Sequence, residues 1–121
     1  MNTTISALPT LDVDTASRAN GWKPNERTNT ERRVVWALLH TMLEAHPGRS
    51  LFVFDGDEMI ACETPRAAME VIFNLDEATI RMGRSWVFLV IGNGMDIVSD
   101  YGINPTTESA VAAAMTFCGL D

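Results

Sequence analysis

Lysine is almost missing from this chain: Lys23 is the only one among 121 residues, and arginine supplies the other eight basic side chains. Cysteine is nearly as scarce. Cys62 and Cys118 lie far apart with no C-x-x-C spacing and no sequence-adjacent histidine or lysine, which excludes a disulfide framework and reads as two free, buried thiols in a reducing compartment. The two histidines, His40 and His46, are six residues apart, whereas zinc pairs want gaps of about three to five plus further ligands. No apolar run approaches the roughly 18 residues of a membrane-spanning helix; the longest, Trp86 to Ile91, has the length of a buried strand. Met1-Asn2-Thr3-Thr4 opens without the basic and apolar regions of an export signal, so the expected compartment is the cytoplasm.

What is present fits one globular domain. The length matches a single core, and a hydrophobic share of 46% is ordinary for one. The net charge of −7 is unevenly spread: residues 1–50 sum to +1 and residues 51–121 to −8. An acidic surface repels phosphate, which argues against direct DNA or RNA binding through that part and for a basic protein or nucleoprotein partner.

Residues 1–27, with Pro9, Gly21 and Pro24, have no sustained periodicity and read as an extended arm whose one large apolar group is Trp22. The domain proper is expected over 28–121. Thr28 to Glu31 has capping-box spacing, and Val35, Leu38, Leu39, Met42 and Leu43 recur at helical intervals until His46-Pro47-Gly48. Beyond it lies an internal similarity, a ββα pattern over 51–75 and again over 86–118. Leu51 to Glu63 can be laid on Phe88 to Asp100, matching Val53 with Val90, Phe54 with Ile91 and Ile60 with Ile97. Gly56-Asp57 and Asn93-Gly94 stand at the two turns, the second being a type I′ signal. Thr64 with Pro65 starts a helix after the first hairpin, and Thr106 or Thr107 starts another after the second, stopped at Gly119. Ala78 to Met82 could extend the preceding helix, but Thr79 to Met82 followed by Gly83-Arg84 looks more like a short strand turning into Trp86. The expected fold is α+β: a helix, then two ββα units, forming an antiparallel sheet of four or five strands with helices on one face. Leu51–Phe54 and Trp86–Ile91 are apolar on both faces, so the second face must be covered by the first helix and arm, or by a partner.

Candidate chemistry is sparse. Asp55-Gly56-Asp57 after an apolar strand resembles the D-x-D start of haloacid-dehalogenase-type phosphatases, which implies a metal-dependent hydrolase with Asp55 and Asp57 as its carboxylates. The D-x-D-G-T loop and alternating βα pattern of that family are absent, and a charged hairpin turn accounts for the same residues. Gly92-Asn93-Gly94 lacks the G-x-G-x-x-G of a phosphate cradle. Nothing in the sequence sets a nucleophile beside either histidine, so no catalytic residues, metal ligands or cofactors are assigned.

Trp86-Val87-Phe88-Leu89-Val90 followed by Gly92-Asn93-Gly94-Met95-Asp96 and Asp100-Tyr101 resembles a hairpin of small phage- and plasmid-type accessory proteins. That resemblance covers about Leu51 to Asp100 and implies no particular activity. The expectation is a non-enzymatic acidic binding module, with a role such as inhibition of a host defence complex of CRISPR type. Its expected contact residues are Asp55, Asp57, Glu58, Asp96, Asp100 and Tyr101. The alternatives are a homodimeric structural or regulatory domain and the Asp55/Asp57 hydrolase.

Overall fold

A computed structural model describes residues 26–120, with side chains from residue 30 onward; the arm and Trp22 fall outside that range. The elements are helix α1 (Glu26–Ala45), strands β1 (Leu51–Phe54) and β2 (Met59–Cys62), helix α2 (Pro65–Ile72), strands β3 (Glu77–Met82) and β4 (Ser85–Val90), a 3₁₀ turn (Gly94–Asp96), β5 (Val98–Tyr101) and helix α3 (Pro105–Phe117). The fold is α+β, with one fully antiparallel sheet in the order β2-β1-β3-β4-β5. No helix among the described residues is long and apolar enough to cross a membrane.

Alternation decides which face is buried. Val53, Ile80, Val87 and Leu89 share one face at 0% exposure, and the helices cover it, with α1 packed against both α2 and α3. Val34, Val35, Leu38, Leu39 and Met42 of α1 complete the core. The face turned away from the helices carries two rows read from the strand register: Ala61–Phe52–Arg81–Trp86, and Met59–Phe54–Thr79–Phe88–Asp100. Aromatic groups therefore stand where a solvated sheet places polar ones. Trp86, Phe52 and Phe88 are only partly buried there, so Trp86 is a face residue rather than a core one. Gly102 lets the Trp86 indole lie over the end of β5; a Cβ at that glycine would sit 2.8 Å from the indole Nε1.

Several local expectations are corrected. Glu31 does not close a capping box with Thr28: the helix already runs from Glu26, and the Glu31 carboxylate instead accepts the Gly92 and Gly94 N–H groups at 2.6 and 2.8 Å. Asn93-Gly94 is not a type I′ turn, since Asn93 has φ −89° and the chain makes a 3₁₀ turn before β5. Val90 still faces Ile97, whose carbonyl accepts its N–H at 2.9 Å. The first hairpin pairs Val53 with Ile60 as expected, with Gly56 at φ +107°. Because Val53 faces the helices and Val90 does not, residues matched in the internal similarity lie on opposite faces. Thr64 caps α2 by accepting the Ala67 N–H, with Pro65 at its first turn. The cap of α3 is Asn104, not Thr106 or Thr107; its Oδ1 accepts the Thr107 N–H at 2.8 Å, and Pro105 follows it. Gly119 ends the helix at φ +72° in a Schellman arrangement, Leu120 N–H to Met115 and Gly119 N–H to Thr116.

Candidate functional site

Strand direction sorts the charges. The C-terminal ends of β1 and β4 and the N-terminal starts of β2, β3 and β5 all lie at one end of the sheet. Asp55, Asp57 and Glu58 fill the β1–β2 turn there, Asp76 and Glu77 open β3, and Asp96 belongs to the 3₁₀ turn. Arg33 of α1 is the one exposed basic side chain described near this end. The opposite end holds Arg49, Arg66, Arg81 and Arg84, offset by Glu44, Glu63 and Glu108. The chain's negative excess is thus concentrated at one end of the strands.

Apolar groups accompany those acids. Five large hydrophobic side chains are exposed among the described residues, and Phe54, Met59, Met95 and Phe117 lie at the acidic end; Ile103 is at the other. Phe54 and Met59 are cross-strand partners immediately flanking the Asp55–Glu58 turn. Met95 is 62% exposed beside Asp96. The Phe54–Met59 pair, bordered by the carboxylates of its own turn, can bind a surface that brings both hydrophobic contact and positive charge.

Asp55 is committed locally. Its Oδ1 accepts the N–H groups of Asp57 and Glu58, both at 2.8 Å, an Asx-type closure of the turn. Those bonds, to Glu58 and then Asp57, hold its carboxyl below the ordinary aspartate range. A depressed folded-state pKa stabilises the turn fully above the unfolded value, and that contribution is lost as pH falls through the folded one. The amide-proton shifts of Asp57 and Glu58 should therefore titrate together, with a midpoint below the roughly 3.9 of a free aspartate. A midpoint at the free value would remove the carboxylate from the turn.

The structure gathers Asp55, Asp57 and Glu58 in one turn and puts Asp96 at the same end of the sheet. It does not bring Asp100 or Tyr101 to them. Asp100 is exposed within β5, opposite Phe88 on the helix-free face, with its Oδ1 accepting the Tyr101 N–H at 2.9 Å. Tyr101 is not an exposed turn residue, because it faces Val87 and packs half-buried against the core. Phe54, Met59 and Met95 are the contact candidates that sequence reading missed. The doubly apolar Leu51–Phe54 run was the signal for the first of them.

The other end of the sheet corrects a second expectation. Ser85 does stand beside a histidine: His46 Nε2 and Ser85 Oγ are 2.8 Å apart. Thr107 Oγ is 2.7 Å from the same Ser85 oxygen and 3.0 Å from Asn104 Oδ1, which makes a chain of four polar groups joining α1, β4 and α3. Ser85 is 1% exposed, and among the described residues no carboxylate bonds the other imidazole nitrogen. The arrangement is a structural tie between elements, with the Ser85 hydroxyl bonded on both sides. His40 is half-buried against Trp36, ring centroids 4.5 Å apart, and burial lowers its pKa. Cys62 and Cys118 are free thiols whose pKa burial raises.

Among the described residues no three His, Cys, Asp or Glu side chains converge as metal ligands. Comparison with protein-family models, curated proteins and solved structures finds no match.

Proposed function

We propose that this protein is a binding module that presents the acidic end of its sheet to a basic protein or nucleoprotein surface. The observation that carries the reading is the placement of Phe54, Met59 and Met95 among Asp55, Asp57, Glu58, Asp76, Glu77 and Asp96. Apolar anchors give such a contact its lifetime, while the carboxylates select the partner and speed the encounter. A partner whose basic surface normally holds nucleic acid would lose access to it on binding. Inhibition of a nucleic-acid-handling host defence complex, of CRISPR type, is the role we assign within this reading.

The test is affinity capture from host lysate by the wild-type protein, by the Asp57→Lys/Glu58→Lys variant and by Met59→Ser, at low and at high salt. A stoichiometric basic partner, captured at low salt and less at high salt, lost with either variant and prevented by this protein from holding its nucleic acid, is the expected result. Retention of the same partner by both variants would move the contact elsewhere, and capture of none would end the proposal.

A second reading, a homodimer, is favoured by Phe52, Trp86 and Phe88 on the helix-free face. A monomer at micromolar concentration in light scattering would remove it.

A further inference from the structure

The balanced end of the sheet contains a cleft of about 720 Å³ whose walls include His46, Arg49, Arg84, Ser85, Asn104 and Thr106. Among the described residues no carboxylate lines it, although Glu44, Glu63 and Glu108 share this end. In a chain of net charge −7 with nine basic residues, two arginines have been brought to one turn without an acidic partner among the described residues. The geometry holds them there. Gly83 at φ +58° turns β3 into β4 and sets Arg84 on the rim, while the Arg49 chain runs beside that turn, its Cδ and Nε each 3.8 Å from where a Gly83 Cβ would be. Both side chains line the one cleft, and an anion bound there would accept charge-assisted hydrogen bonds from them.

The remaining walls suit the same charge. The tie from His46 through Ser85 and Thr107 to Asn104 uses the polar atoms that face inward and fixes the backbone behind the arginines. It leaves the Thr106 N–H and hydroxyl without a partner among the described residues. Pro105 has no N–H, so the Thr106 donor is the first that α3 offers outward, at the positive end of a thirteen-residue helix. A guanidinium fork binds phosphate bidentately, and a hydroxyl and a backbone N–H supply donors for the further oxygens that a phosphate carries.

We infer that this cleft binds a phosphate group, held by Arg49 and Arg84 and completed by Thr106. The site is separate from the acidic end and does not depend on what that end binds. The source of the phosphate is either the free ion or a small phosphate monoester, and the two share this recognition chemistry.

The test is a titration of ¹⁵N-labelled protein at constant ionic strength with inorganic phosphate, with a nucleoside 5′-monophosphate, and with the unphosphorylated nucleoside as control. Saturable shifts confined to the amides of residues 49, 83–85, 104, 106 and 107 are expected with one or both phosphate probes and none with the nucleoside. Tighter binding of the monoester identifies an ester as the source, and equal or weaker binding identifies the free ion. Arg49→Gln and Arg84→Gln should each weaken binding about tenfold or more, whereas Arg66→Gln, outside the cleft, should leave it unchanged. All three arginines are exposed, so the variants should keep the wild-type spectrum elsewhere. Shifts that grow linearly without saturating, or equal affinity in the Arg49→Gln and Arg84→Gln variants, would overturn the assignment.

Discussion

Replacing Glu31 with alanine is expected to remove about 3–5 kcal/mol of folding stability, the consequence of leaving two backbone donors without the buried carboxylate that accepts both. Glu31 is 1% exposed and Arg32 is 0% exposed. The carboxylate does two things at once. It accepts both glycine N–H groups of the β4–β5 connection, and its charge opposes the desolvation that lowers the Arg32 pKa. Alanine leaves two backbone donors without their acceptor and takes away a negative charge that favours the buried guanidinium. Since a domain of this size is stable by about 5–15 kcal/mol, the variant should unfold at far lower urea. Glu31→Gln keeps the shape and one acceptor, so it should fall between. A change under roughly 1 kcal/mol in the alanine variant, by urea unfolding followed through tryptophan fluorescence, would mean that water replaces the carboxylate.

Phe73→Ala should be of similar size, about 3–5 kcal/mol, for a different reason. Phe73 closes α2 at 0% exposure, and the Arg32 guanidinium carbon lies 4.3 Å from its ring centroid. Deleting the ring opens a cavity and removes the π face on which the guanidinium rests. Phe73→Leu retains much of the volume, so its smaller loss isolates the ring's share. Because Glu31 and Phe73 both act on Arg32, the two alanine variants should not be additive, with a coupling of roughly 0.5–3 kcal/mol. Strict additivity would show that the three residues do not form one unit.

Local signals carried much of this fold. Val35 to Leu43 recur at a helical period, Thr64-Pro65 starts a helix by its own chemistry, and the 51–62 hairpin has the register that its turn dictates. Thr79 to Met82 is a strand because Ile80 and Met82 alternate with Thr79 and Arg81 between the core and the other face. Long-range polar commitments were not legible. Glu31 bonds residues 61 and 63 positions away, and at short range its spacing to Thr28 imitates a capping box. Asn104-Pro105-Thr106-Thr107 offers three capping side chains in four positions, and the fixed φ of Pro105 at the first turn selects Asn104.

The acidic end was half legible. Asp55, Asp57 and Glu58 are adjacent in sequence, so any turn keeps them together. The orientation of Asp100 and Tyr101 depends on the irregularity between Phe88 and Leu89, which shifts the β4–β5 register by one residue. One such slip exchanges the two faces of a strand, turning Asp100 outward and Tyr101 into the core. Whether Ser85 meets His46 was equally hidden, since 39 residues separate them and only the closed sheet brings the start of β4 under the end of α1.

The lopsided distribution of charge along the strands gives the molecule a dipole moment directed along the sheet. Such a body is not only drawn toward a basic surface but also turned by it. The torque acts before contact, across roughly the 8 Å over which physiological salt leaves a field unscreened. In the contact proposed above, more of the collisions would arrive with Phe54 and Met59 leading, and the step that responds to added salt would be the rate of capture, while the lifetime of the finished contact would rest on the apolar side chains.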